Sequence, residues 1–160
     1  MKKLVYILCI ATLLMASCKP DQETDIGEPF DKVKGLEGTW VLNSFLQKDL
    51  NNPVQEERDL SSYYLVEGIA PMELTFSAAD RSYGITITEG KNFFGSGGTW
   101  AYDNDLYPSS IVFDDGTVQN SFGMGSAVRE FDNVLTIQLE KGCSETDLNV
   151  IYKFIFDRAQ

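Results

Sequence analysis

Residues 72–87 read MELTFSAADRSYGITI. Met72, Leu74 and Phe76 alternate with Glu73, Thr75 and Ser77; after a polar gap, Tyr83, Ile85 and Ile87 alternate with Gly84, Thr86 and Thr88. A period of two puts one set of side chains on a buried face and the other in water, so both runs predict half-buried strands. Residues 77–82, with Asp80-Arg81 inside, supply the hairpin connection between them. Outward from this pair the same rhythm of short apolar runs and turn formers continues. Strands are expected at 40–46, 98–104, 109–113, 117–122, 127–131, 134–140 and 150–157. Asp115-Gly116 tolerates positive φ and predicts a type I′ turn between the fifth and sixth strands of the series. Closely spaced antiparallel strands with almost no helical pattern predict an all-β chain. Its expected form is a small antiparallel up-and-down barrel of eight to nine strands, with a two-sheet β-sandwich as the alternative.

Residues 49–71 break the rhythm. Asn51-Asn52-Pro53 and the charged run 55–59 precede Leu60-Ser61-Ser62-Tyr63-Tyr64-Leu65, where Asp59 is placed to cap a short helical turn. A connection this long in a small barrel is a lid or a functional segment. Tyr63 and Tyr64 either touch a ligand there or plug the barrel end.

The first residues carry a different signal. Lys2 and Lys3 precede an apolar core, residues 4–15, broken only by Thr12, and Ala16-Ser17-Cys18 follows. An apolar run this short falls below the ~20 residues of a membrane span and reads as a secretory signal. Small residues before a cysteine fit a lipoprotein signal peptidase, so residues 1–17 are expected to be removed and Cys18 to carry lipid. Residues 18–34, rich in Asp, Glu, Pro and Gly, then read as a flexible tether, and residues 35–160 as the folded domain. Lys19 followed by Asp21, Glu23 and Asp25 resembles the surface-export signal of Bacteroidetes lipoproteins. It implies an outer-membrane anchor facing the cell surface.

Charge and chemistry narrow the function further. The chain carries 13 Lys+Arg against 24 Asp+Glu, a formal net charge of −11. Loss of Lys2 and Lys3 with the signal takes −11 to −13, which disfavours nucleic acid as a partner. Cys9 leaves with the signal and Cys18 is lipidated, so Cys143 stands alone and reads as a small buried hydrophobe. Histidine is absent from the whole chain, which removes His-based triads and His metal sites. No metal site, cofactor or catalytic residue is expected. Gly95-Ser96-Gly97-Gly98 reads as a tight turn, since no lysine or helix follows it as a phosphate loop requires. Asp103-Asn104-Asp105 has calcium-like spacing without the glycine and distal glutamate of an EF-hand, and reads as a polar turn.

Gly35-Leu36-Glu37-Gly38-Thr39-Trp40 opens the folded part, and a second Gly-Thr-Trp stands at Gly98-Thr99-Trp100. With the strand train that follows, residues 36–158 resemble the lipocalin-like lipoprotein families of unknown function found in Bacteroidetes. The resemblance implies that Trp40 closes the barrel floor and that Arg158 packs over it. The short tail after Arg158 leaves out the C-terminal helix of many lipocalins and turns the likeness toward avidin-like or fatty-acid-binding-like barrels. The function it implies is a non-catalytic binding or interaction module on the envelope. A small apolar ligand would enter near residues 49–71 and meet Tyr63, Tyr64, Phe76, Tyr83, Ile85, Ile87 and Trp100. The alternatives are an accessory subunit of an envelope complex with a filled barrel, and a carboxylate-dependent hydrolase.

Overall fold

The computed structural model describes residues 30–52, 54, 56–144 and 147–159, without the side chains of 143, 144, 147 and 148. The signal at 1–17, Cys18 and the Cys143 thiol therefore lie outside what is described, as does the tether up to residue 29. The folded unit, Asp31–Gln160, begins with a one-turn helix, α1 (Lys32–Leu36). The strands are β1 (Gly38–Asp49), β2 (Arg58–Asp59), β3 (Glu73–Phe76), β4 (Ser82–Thr86), β5 (Gly98–Tyr102), β6 (Ser110–Asp114), β7 (Gln119–Met124), β8 (Val134–Ser144) and β9 (Asp147–Arg158). Among the described residues no helix is long and apolar enough to cross a membrane.

The sheet order is β2-β1-β3-β4-β5-β6-β7-β8-β9, and β1 also pairs with β9. That last pairing closes an eight-stranded antiparallel barrel, with β2 as an extra short strand on β1, and sets the sandwich aside. On one edge β1 meets β3 (Trp40 opposite Leu74) and then β2 (Leu46 opposite Asp59). Its other edge runs along β9 from Trp40↔Arg158 to Asp49↔Val150. The register shifts between Leu42 and Ser44, a bulge that leaves Asn43 outside and returns Phe45 to the core. Neighbouring strands pair over most of their length, except at two places. β4 and β5 share only Ser82↔Thr99 and Tyr83↔Gly98; β7 and β8 share only Gly123↔Gln138 and Met124↔Ile137.

Successive strands alternate in direction, so the connections fall at two ends. The floor gathers α1, residues 77–81, 103–109 and 125–133, and the end of β9. The mouth gathers residues 50–72, 87–97 and 115–118 and the β8–β9 hairpin. Between them the barrel is solid. Leu42, Leu74, Phe76, Tyr83, Trp100, Ile111, Phe113, Phe122, Leu135, Ile137, Phe154 and Phe156 are all buried, and no buried side chain among the described residues is polar or charged. Eight strands enclose a space just wide enough for side chains to fill, and here aromatic rings fill it.

Several details differ from the sequence expectations. Residues 127–131 form no strand. Val128 is buried, and the chain turns at once, with the Asp132 amide donating to the Arg129 carbonyl (3.0 Å) and the Asp132 carboxylate accepting from the Arg129 amide (2.9 Å). Gly35 packs against this bend so closely that a Cβ there would lie 1.8 Å from the Val128 carbonyl oxygen. Strand β2 takes the place of the missing strand in the count. Lys32–Lys34, assigned to the tether by composition, belong to α1, because the Asp31 carboxylate accepts from the amides of Val33 (3.0 Å) and Lys34 (3.1 Å) while Leu36 is buried. The β6–β7 turn has positive φ at Gly116 alone (81°), which rules out type I′, since that turn needs two such residues.

Three turn aspartates brace the connections. Asp103 accepts from Ser109 and Ser110, Asp115 from Thr117 and Val118, and Asp80 from Ser82. Hydroxyl and amide donors favour the ionised carboxylate and hold each of the three at about 2, below the ordinary 3.8. A depressed carboxylate stabilises the fold above its unfolded value and loses that contribution as the pH falls through its folded one. The melting temperature is therefore expected to drop between pH 4 and pH 2. Asp103→Asn should lower it at neutral pH and flatten that acid limb; an unchanged limb would show that Asp103 does not brace its loop.

Candidate functional site

The mouth keeps an apolar cleft open, while the floor loops expose Leu106, Tyr107 and Phe131 singly. β1 and β9 bring Phe45 and Tyr152 together through their closing pairing, and the two rings stack at 5.6 Å. Residues 50–72 fold back over them. The Leu60 amide donates to the Phe45 carbonyl (2.8 Å), the Phe45 amide donates to the Ser61 hydroxyl (3.0 Å), and Lys153 of β9 forms an ion pair with Glu57. Asp59 accepts from the Ser61 amide at 2.8 Å ahead of the 3-10 turn Ser61–Tyr63, but the N-cap of that turn is Leu60, which has no side-chain cap, and not Asp59. The Asp59 carboxyl is held low first by the Ser61 hydroxyl, then by that amide. This turn sends adjacent tyrosines in opposite directions. Tyr64 is buried and packs edge-on against Phe45 at 4.9 Å, whereas Tyr63 stays 61% exposed.

The loop over residues 87–97 closes the other side. The Tyr64 hydroxyl donates to the Lys91 carbonyl at 2.6 Å, and burial pushes its pKa up to about 12, so it stays a neutral donor. Phe93 leans on Tyr152 (5.4 Å), and Phe94 drops into the barrel to stack on Phe122 at 4.6 Å. What remains is an apolar cleft of about 160 Å3 lined by Phe45, Leu60, Tyr63, Tyr64, Lys91, Phe93 and Tyr152. That space admits one ring or a short alkyl group; ordinary small-molecule sites span about 300–1,000 Å3.

Gly90 holds the two mouth segments together. Its φ of 88° is left-handed, and a Cβ there would meet the Tyr64 ring at 2.4 Å. Gly90→Ala is expected to destabilise the fold by about 2 kcal/mol through backbone strain and ring displacement. The Tyr64 ring resonances in NMR spectra should shift with it. A variant with unchanged stability and unchanged Tyr64 signals would dismiss this contact.

Of the lining residues expected from the sequence, Tyr63 and Tyr64 line the cleft. Phe76, Tyr83 and Trp100 are buried in the core, packed on one another and on Phe113; Ile85 and Ile87 lie partly buried against it. Phe45, Leu60, Lys91, Phe93 and Tyr152 were not anticipated. The adjacent phenylalanines between Asn92 and Gly95 were the legible signal, since a solvated turn has no use for two aromatic rings.

The floor holds the second singled-out pair. The Arg158 guanidinium lies 4.3 Å from the Trp40 ring centroid. It also donates to the carbonyls of Gly35 (2.6 Å), Glu37 (2.6 Å) and Asp132 (3.0 Å), while the Trp40 indole N–H donates to Leu36 at 2.8 Å. Carbonyls left over at the end of α1 are thus taken up by two side chains. Trp100 has a similar companion in Arg81, 5.5 Å from its ring, itself in a bidentate pair with Asp105. Asp103, Asn104 and Asp105 do not converge: Asp103 and Asn104 brace their own loop and Asp105 meets Arg81. No group of three His, Cys, Asp or Glu among the described residues is arranged to hold a metal ion. A scan against protein-family models finds no match, and a search of curated proteins finds none either.

Proposed function

We propose that the chain is an exported lipoprotein, held in the outer membrane by lipid on Cys18 and facing the cell surface, whose lipocalin-like barrel is a non-catalytic interaction module working through its mouth. The carrying observation is the contrast between a barrel interior filled by its own aromatic side chains and a mouth that keeps an open apolar cleft beside the exposed Tyr63. The acids with displaced pKa values support the absence of catalysis. All are depressed by turn donors or by an arginine, the opposite of what a proton-donating carboxyl requires. The filled interior also supports the second reading, an accessory subunit of an envelope complex that makes its contacts through outer surfaces.

Two measurements test the proposal. Mass spectrometry of the mature chain should find diacylglycerol on Cys18 at its N-terminus; a bare cysteine or a different N-terminus sinks the anchoring. Any saturable binding of a fluorescent long-chain fatty acid at micromolar concentration should be lost in Tyr152→Ala, because side chains fill the interior and leave only the mouth to bind it. Saturable uptake that survives Tyr152→Ala would place a ligand inside the barrel and overturn the mouth as the working surface.

A further inference from the structure

A second cleft, of about 280 Å3, lies at the mouth where β7 and β8 part, walled by Lys91, Asn92, Phe93, Asp115, Asn120 and Lys141. It shares Lys91 and Phe93 with the apolar cleft, so the two flank that short segment. Each is of a size to take one group of a ligand, since ordinary small-molecule sites span about 300–1,000 Å3. The shared segment is held by several hydrogen bonds. The Lys91 carbonyl takes the Tyr64 hydroxyl (2.6 Å), the Phe93 carbonyl takes the Asn120 amide (3.3 Å), and Asn92 closes its own turn on Gly95 (2.6 Å) and Phe94 (2.9 Å).

Two cations, Lys91 and Lys141, and one carboxylate, Asp115, stand on the walls of this second cleft. The Lys91 ammonium stands 5.0 Å from the Phe93 ring. Among the described residues the carboxylate pairs go to Arg81, Arg129 and Lys153, and neither Lys91 nor Lys141 has one. Asp115, the acid of this wall, already accepts from Ser96, Thr117 and Val118. We infer that the mouth binds a small amphipathic anion, its ring or short alkyl group in the apolar cleft and its carboxylate at Lys91 and Lys141. This rests on the mouth being the recognition surface and names the class of ligand. Two cations on one cleft wall, with no carboxylate partner among the described residues, are complementary to an anion, and the adjoining aromatic walls favour an anion that carries an apolar group.

The test uses the full chain and three probes: 3-phenylpropanoate, 3-phenylpropanol and acetate, followed by NMR shifts of Phe93 and Tyr152. The acid is expected to bind more tightly than the alcohol by about fivefold, the scale of an exposed ion pair, and acetate to bind least. Raising the salt should shrink that preference. Lys141→Gln should reduce the preference and leave binding of the alcohol unchanged, Lys91→Gln should reduce the preference, and Tyr152→Ala should weaken acid and alcohol together. Equal binding of acid and alcohol, or a preference untouched by both lysine variants, overturns the anion and leaves mouth recognition standing. Binding of neither overturns the ligand class, with the mouth reading still decided by the fatty-acid titration. Shifts confined to interior residues such as Phe113 overturn both.

Discussion

Replacing Phe94 by alanine is expected to destabilise the protein by about 3–5 kcal/mol, the cost of emptying a fully packed aromatic site. The side chain descends from a loop, yet it occupies the middle of the barrel. It stacks on Phe122 and meets Phe113 (5.4 Å), Phe154 (5.1 Å) and Phe156 (6.2 Å) edge-on. Its backbone is held on both sides, with the carbonyl taking the Tyr83 hydroxyl at 2.5 Å and the amide donating to Asn92. At roughly 3 °C per kcal/mol for a domain of this size, the melting temperature should fall by about 10 °C or more. The vacated space is walled by phenylalanines, so it should stay dry and take up benzene, which would return part of the lost stability. A fall of less than about 1 kcal/mol would mean that strand pairing alone holds the mouth half of the barrel together.

Arg158→Ala comes next, with an expected loss of about 2–4 kcal/mol. The side chain donates to three carbonyls from two separate segments and covers the Trp40 ring. Its removal leaves the end of α1 and the bend at residues 125–133 without their common donor. Tryptophan emission should shift to longer wavelength as water reaches the floor. Arg158→Lys should recover less than half of the loss, because a single ammonium cannot reproduce the forked geometry of a guanidinium. Unchanged emission and unchanged melting temperature would remove the clasp from the account of the fold.

Legibility from sequence followed the range of the interactions. The alternation in residues 72–87 announced β3 and β4 because one face is wet and the other dry, a local and periodic constraint. Asp80-Arg81 marked the hairpin between them, and the Ser77 amide does close on the Ser82 carbonyl at 3.0 Å. The segment over residues 127–131 misled because Arg129 and Asp132 close a turn on each other and Val128 packs on Gly35, far away in sequence, and the apolar pattern records neither. The cleft was only half legible for the same reason. Tyr63 and Tyr64 stood out as adjacent aromatics in an irregular stretch, whereas Phe45 and Tyr152 acquire their roles only when β9 returns to β1 and sets Gln47 opposite Tyr152. No short-range pattern records a closing register between strands more than a hundred positions apart.

The thin pairings on either side of β5–β6–β7 make that three-stranded meander a panel hinged near the floor. Two residue pairs join it to β4 and two join it to β8, whereas the β8–β9–β1 side is laced along its whole length. Thermal excursions of the barrel will follow these two slits, since opening there sacrifices the fewest ladder bonds. Amide protons along the panel's outer edges are thus the first of the barrel's strands to exchange with solvent, and those between β1 and β9 the last.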